Sequence, residues 1–223
     1  MNILVSGANG NLGTAVVDTL LNSGKQIFGL YANEDQLRKD KRPIQKESID
    51  LTKPDKAKDV VEKMYSKMGA IQGAVLTVGG FAMGKLQETS SDEIHSQIKL
   101  NFDTAYHLVQ PLLTKMKKGG QIFLIGAKPV LNIDELKGKL AYGLSKQLIF
   151  TLAEVINADS KNHGINCSVI VPSIIDTPSN RKSMPDMDFS AWVKPEEIAK
   201  TINFYLDNPY LKQAIIKAYG NVE

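Results

Sequence analysis

One cysteine in 223 residues leaves no internal disulfide to staple the chain. That residue, Cys167, lies inside the apolar run INCSVIVP, so a buried and inert thiol is expected. Histidine is nearly as scarce. His95, His107 and His163 stand apart, and no Cys/His cluster has the spacing of metal ligands, so no metal site is expected. No apolar run approaches the roughly 20 residues of a membrane span. A strand expected from Asn2 leaves no room for a cleaved leader, so a cytoplasmic, soluble protein is expected. Charge of one sign is also missing. The net charge is +3 and the basic residues are scattered, without a basic stripe interleaved with aromatics, which argues against a nucleic-acid partner. Linkers, internal repeats and low-complexity tracts are absent. Chemistry on a small molecule is what remains.

What the sequence does contain is alternation. Short apolar runs at 3–5, 27–31, 44–49, 71–78, 121–126, 165–171 and 212–218 read as buried strands. Between them lie helical patterns near 12–24, 34–39, 54–68, 91–117 (with Pro111 as a kink), 138–159 and 195–207. Buried strands separated by helices predict an α/β protein: a doubly wound parallel sheet with helices on both faces, Rossmann-like, with residues 1–223 as one domain. Residues 176–194 lack periodicity. A loop of that length suits a lid over a substrate or, more plainly, packing over the sheet edge.

The turn SGANGNLG opens directly after the first strand. Gly7, Gly10 and Gly13, with Asn9, Asn11 and Leu12, stand where a backbone can approach a pyrophosphate at a helix N-terminus. The spacing departs from G-x-G-x-x-G, so its place between a buried strand and an amphipathic helix carries the dinucleotide reading. An acidic residue at the end of the second strand would favour NAD. This chain has Tyr31, Ala32 and Asn33 there, with Arg38, Lys39, Lys41 and Arg42 nearby, so NADP(H) is favoured over NAD(H). Asp50 and Leu51, ending the third strand, are placed to meet the adenine edge.

Tyr142 and Lys146 lie four apart and share a helix face. An ammonium beside a phenol favours the phenolate, so a Tyr142 pKa below its usual value of about 10 is expected. With the glycine turn upstream, the chain resembles the short-chain dehydrogenases/reductases over nearly its whole length. That resemblance implies Tyr142 as proton donor or acceptor, Lys146 as its ribose-holding neighbour, and Asn101 as support for a proton relay. It also implies that Gly79 and Gly80 form the fourth strand's cofactor turn. Pro172-Ser173-Ile174-Ile175-Asp176-Thr177 resembles the P-G-x-x-x-T run, so Pro172, Ile174 and Thr177 would meet the nicotinamide. Assembly as a homodimer, or a tetramer, is implied as well.

One departure narrows the reading. Ketone-reducing members carry a serine at the end of strand five, whereas here Ile125-Gly126-Ala127-Lys128 is followed by no serine before Tyr142. A methyl group donates no hydrogen bond, and a missing donor of this kind removes a few kcal/mol of transition-state stabilisation. Gly126-Ala127-Lys128 and DTPSNRKSMPDMDFSAW (176–192) are similar to the dihydropteridine reductases, which also lack that serine. The resemblance implies hydride transfer to a quinonoid dihydropterin, with Ala127, Asn180, Arg181, Met184 and Trp192 around the substrate. Tyr31 departs from that family too, since it stands where an acid is implied. Reduction of another carbonyl or quinone, or a dinucleotide-binding sensor without turnover, are the alternatives.

Overall fold

The computed structural model describes residues 1–221. Seven strands form one sheet: β1 (Asn2–Ser6), β2 (Gln26–Tyr31), β3 (Gln45–Ser48), β4 (Ile71–Leu76), β5 (Met116–Ile125), β6 (Asn166–Pro172) and β7 (Ile215–Ala218). Their spatial order is β3-β2-β1-β4-β5-β6-β7, and every neighbouring pair is parallel. The order reverses between β1 and β4. Such a reversal opens a crevice beyond the carboxyl ends of the strands.

The central strands are apolar on both faces because helices cover both, whereas the edge strand β3 is polar, with sequence Gln-Lys-Glu-Ser. On one side, Ile3 and Val5 of β1 pack with α1 (Asn11–Asn22) through Val16, Val17 and Leu20, and with α10 (Pro195–Asp207) through Ile198 and Ile202. On the other, Leu4 and Ala74 pack against α3 (Pro54–Met68), α5 (Thr104–Lys115) and α7 (Leu140–Ala158). The remaining helices are short: α2 (Glu34–Lys39), α4 (Ser91–Ile98), α6 (Ile133–Leu136), α8 (Ser160–His163) and α9 (Pro178–Ser183).

Several expected boundaries move. The helix expected over 91–117 is broken at Lys99–Asp103 by a π turn, and it stops at Lys115. Strand β5 begins at Met116, which pairs with Ile71. Residues 117–120 then bulge where β4 has only Gln72, and pairing resumes at Gly73 with Gln121. Gly119 supplies the positive φ, +86°, that this bulge requires. The segment 176–194 is partly helical, holding α9 and a 3₁₀ turn at Phe189–Ala191, and the last strand is shorter than 212–218. No helix among the described residues is long and apolar enough to cross a membrane.

Candidate active site

The glycine turn between β1 and α1 is built by close approach. Gly7 has φ +65°, and a Cβ at Gly13 would stand 2.0 Å from the Gly7 carbonyl oxygen. Gly10 donates to that oxygen at 2.9 Å and precedes α1 without a side-chain cap. The first N–H groups of α1 are therefore left to face the crevice, as an anion requires. A cleft of about 510 Å³ runs from here, lined by Gly7, Asn9, Gly10, Asn11, Leu12 and Gly13. Its adenine-side wall is Ile49, Asp50 and Leu51, and its inner wall is Thr77, Val78 and Gly79. Thr52 donates to Asp50 through both its backbone N–H (3.0 Å) and its hydroxyl (2.6 Å), which holds the Asp50 carboxyl below its usual range.

The end of β2 differs from expectation in its details. Tyr31 lines the cleft, but its hydroxyl donates to Asp40. Arg42 grips the same carboxylate with Nε at 2.9 and 3.0 Å. Its other nitrogens reach Ala8 O (2.7 Å), Thr14 O (3.3 Å) and Asp18 (3.1 Å). Burial opposes ionisation of Asp40, yet the bonds from Arg42 and Tyr31 outweigh it and hold the carboxyl far below its usual range. Burial and Asp40 together push the Tyr31 phenol up. Arg42 is thus a cation bound to the glycine turn at Ala8 O, although it does not line the cleft. Arg38 is exposed on α2 and does not line the cleft, and Asn33 caps α2 by accepting from the Gln36 N–H at 3.0 Å.

Beyond Gly79 the cleft meets the chemical end. Asn101 sits at the centre of the π turn and is 1% exposed. Its Oδ1 accepts from the Gly80 N–H (2.9 Å), and its Nδ2 donates to Gln97 Oε1 (2.9 Å) and Ser145 Oγ (3.0 Å). Ser145 in turn donates to Tyr142 O at 2.7 Å. A Cβ at position 79 would meet Asn101 Oδ1 at 2.6 Å and Lys146 Nζ at 3.2 Å, so these side chains would have to shift to admit one. Lys146, 5% exposed, donates to Ile125 O at 2.8 Å, and its Nζ lies 6.0 Å from the centre of the Tyr142 ring. Phe81, 59% exposed, meets that ring edge-on at 5.0 Å. The structure therefore joins Asn101, Tyr142, Lys146, Gly79 and Gly80 in one place.

The expected acidification of Tyr142 is not what the site shows. Burial pushes its phenol up to about 12 and pushes the Lys146 ammonium down to about 8. Desolvation outweighs the attraction between the two. Tyr142 is consequently a protonated donor at neutral pH, and Lys146 still carries its charge there.

The segment expected as a lid, 176–194, is tied to its neighbours by hydrogen bonds and ring contacts. Ala127 is buried in extended backbone at the end of β5, where it presents only a methyl group. Pro172 closes β6. Val193 N–H donates to Ile174 O at 3.1 Å, and Thr177 Oγ1 accepts the Asn180 N–H at 3.1 Å to cap α9. Asn180 Nδ2 donates back to Ile175 O at 2.8 Å. Arg181 pairs with Asp176 through two bonds, 2.5 and 2.7 Å, and its guanidinium lies 4.9 Å from the Phe189 ring. Met184 is half-buried at the end of α9. Trp192 is 4% exposed and packs on Phe189 at 4.8 Å, so its indole anchors the segment from below and does not close over an open site. Sequence reasoning missed Ser145, Gln97, Gln36, Thr77 and the Asp40 carboxylate. Ser145 alone carried a local signal, since it is three residues from Tyr142 and follows it on the same helix.

A parallel sheet with this strand order, a glycine turn at its reversal and a Tyr-x-x-x-Lys helix beside a buried Asn define a nicotinamide-dependent oxidoreductase site. The chain belongs to the short chain dehydrogenase family, which matches residues 1–188. Among its relatives, a cyclic-di-GMP-binding biofilm dispersal mediator protein of Escherichia coli K12 is 28% identical over 207 residues, covering 88% of this chain and 85% of that one. A dihydropteridine reductase of Dictyostelium discoideum is 28% identical over 209 residues, covering 90% and 85%. Among solved structures, BdcA in complex with NADPH matches with a TM-score of 0.84 at 25% identity, over 99% of this chain and 93% of that one. Thermoplasma acidophilum aldohexose dehydrogenase in ligand-free form matches with a TM-score of 0.86 at 20% identity, over 99% and 93%.

Proposed function

We propose that this protein is an NADPH-dependent reductase of a quinonoid dihydropteridine or a closely similar planar conjugated imine. The observation that carries the reading is Ala127. The Asn101–Tyr142–Lys146 set reaches the end of β5 through the Lys146 bond to Ile125 O, two residues before the buried Ala127, where the short-chain pattern implies a serine hydroxyl for a ketone. A conjugated imine spreads its developing charge over a ring and takes its proton on nitrogen, so it does not need that donor. The dihydropteridine reductase likeness supports the same substrate class.

The cleft fits a nicotinamide dinucleotide. A Cβ at Gly13 would strike Gly7 O, so only glycine lets α1 start this close to the turn, and the uncapped start of α1 suits a pyrophosphate. Gly7 to Gly13, Asp50, Leu51 and Gly79 would hold it. NADPH is favoured because the strand end presents Tyr31 and Ala32 to the cleft, while the nearby Asp40 carboxylate is taken up by Tyr31 and Arg42. The NADPH held by BdcA supports this. When bound, the nicotinamide supplies a hydride. Tyr142 gives its hydroxyl proton to a ring nitrogen of the acceptor, and the Lys146 ammonium stabilises the phenolate left behind. Asn101 fixes both the Gly79–Gly80 turn and, through Ser145, the first turns of α7.

Purified protein with NADPH and a quinonoid dihydropterin is expected to consume the near-ultraviolet nicotinamide absorbance. Tyr142→Phe is expected to lose most turnover while still binding NADPH. Turnover of simple ketones but not of the dihydropterin would overturn the substrate class. A second reading, a dinucleotide-binding mediator without turnover, draws on the Escherichia coli relative and on the missing donor at Ala127. NADPH binding with no oxidation by any acceptor would favour it.

A further inference from the structure

Ser173 stands where the short-chain motif carries glycine, and its hydroxyl is committed. It donates to Tyr219 O at 2.6 Å, while its backbone N–H donates to Ala218 O at 3.1 Å. Both polar groups of one residue after β6 thus bind consecutive carbonyls where the chain leaves β7. Gly220 then turns the chain with φ +61°, and a Cβ there would strike Ala191 O at 2.4 Å. The Asn221 N–H closes the turn on that same Ala191 O at 2.9 Å. Ala191 ends the 3₁₀ turn that carries Phe189 and Trp192, and Phe189 lies under the Arg181 guanidinium. The Tyr219 ring lies 5.3 Å from Lys128 Nζ, one residue beyond Ala127.

We propose that Ser173 is a positioning residue for the substrate. By holding the turn Tyr219–Asn221, it fixes the segment 176–192 against the end of β5. Its two hydrogen bonds are made to carbonyls that a glycine could satisfy only in half, because the second needs the hydroxyl. The terminal turn is therefore a strap with three attachments: Ser173 after β6, Ala191 in the substrate segment, and Lys128 after β5. Two of the places where the chain departs from the short-chain pattern, Ala127 and Ser173, are linked through Tyr219, by way of Lys128.

The kinetic part of this inference rests on the dihydropterin reductase reading, whereas the structural part does not, so the test uses both. Ser173→Ala removes the hydroxyl and nothing else. Amide hydrogen exchange over residues 184–192 is expected to speed up about fivefold, the scale of one lost hydrogen bond. KM for the dihydropterin is expected to rise by more than kcat changes, with NADPH affinity preserved. Ser173→Thr, which keeps a hydroxyl, is expected to restore both. Gly220→Ala, which strikes Ala191 O, is expected to reproduce the exchange change by a separate route. Unchanged exchange in both Ser173→Ala and Gly220→Ala would overturn the strap. Faster exchange with an unchanged KM would overturn the positioning role. Wild-type protein that ignores the dihydropterin would instead sink the substrate reading, and the exchange result would still decide the strap.

Discussion

Asn101 is the residue through which the cofactor turn, the π turn and the Tyr142 helix are joined, so Asn101→Ala tests the architecture of the site directly. The substitution removes three hydrogen bonds at once, to the Gly80 N–H, Gln97 and Ser145. Ser145 keeps its bond to Tyr142 O, so its loss is partial. Gly80 N–H keeps nothing in its place. A neutral hydrogen bond contributes roughly 1 kcal/mol net, and an orphaned buried donor costs about 1–3 kcal/mol, so the expected loss is about 2–4 kcal/mol. Urea unfolding followed by fluorescence measures it, since Trp192 is the single tryptophan and is buried. The midpoint should fall with little change in slope. Asn101→Asp keeps an acceptor for Gly80 but loses both donors and places a carboxylate beside Gln97 Oε1, so it should be destabilised as well. A double-mutant cycle with Ser145→Ala should return a coupling of at least about 0.5 kcal/mol. A loss below about 1 kcal/mol for Asn101→Ala, or additivity with Ser145→Ala, would refute the junction.

Three further outcomes follow from the same geometry. Lys146, pushed down to about 8 by burial, should lose its proton as pH rises through that value. The kcat for reduction should then fall above pH 8, whereas Lys146→Arg should carry its residual rate to higher pH. The folded protein favours the neutral amine, so this residue's contribution to stability should rise between pH 8 and its ordinary 10.5. Gly13→Ala forces a Cβ against Gly7 O and should cost about 1–3 kcal/mol of stability; calorimetry should also show weaker NADPH binding. Arg42→Ala leaves the Asp40 carboxylate, whose side chain is 6% exposed, with the Tyr31 hydroxyl and the Lys46 ammonium at 3.9 Å, and should cost about 1–3 kcal/mol. Adding Asp40→Asn should recover part of that loss. The Asp40 carboxyl is held low, so its contribution is present above the ordinary carboxylate range and is lost as pH falls through that range toward the lowered folded value. The stability of the double variant should therefore fall less steeply with acid than that of the wild-type protein.

Much of the fold was legible because most of its strands are short and apolar while its longer helices are amphipathic. Parallel pairing buries both faces of the central strands, so β1, β2, β4 and β6 announce themselves by composition, whereas the edge strand β3, Gln-Lys-Glu-Ser, does not. The boundaries that moved are those set by pairing and not by composition. Met116 joins β5 only because Ile71 lies opposite, and residues 117–120 bulge only because β4 offers a single residue there. The π turn at Lys99–Asp103 has no sequence signature, since a shifted hydrogen bond leaves the apolar period nearly intact.

The candidate trio was legible for a different reason: Tyr142 and Lys146 are neighbours along one helix, and Asn101 was carried by resemblance. Their electrostatics were not legible. Spacing reports that an ammonium lies near a phenol but says nothing of how much water either retains. Burial of Tyr142 itself reverses the expected direction. The reversal suits reduction better than the expectation did. A phenol acidified toward neutrality would spend its proton on solvent, whereas one held up at about 12 keeps it for the acceptor. The ammonium then acts where it is most effective, on the phenolate formed during transfer and not on the resting phenol. Replacing Lys146 with Met should therefore lower kcat severely while leaving the resting Tyr142 protonated, and a pH titration of Tyr142 absorbance in that variant separates the two effects. A Tyr142 that ionises near neutral pH in the wild-type protein would show that the ammonium, not burial, governs the pair.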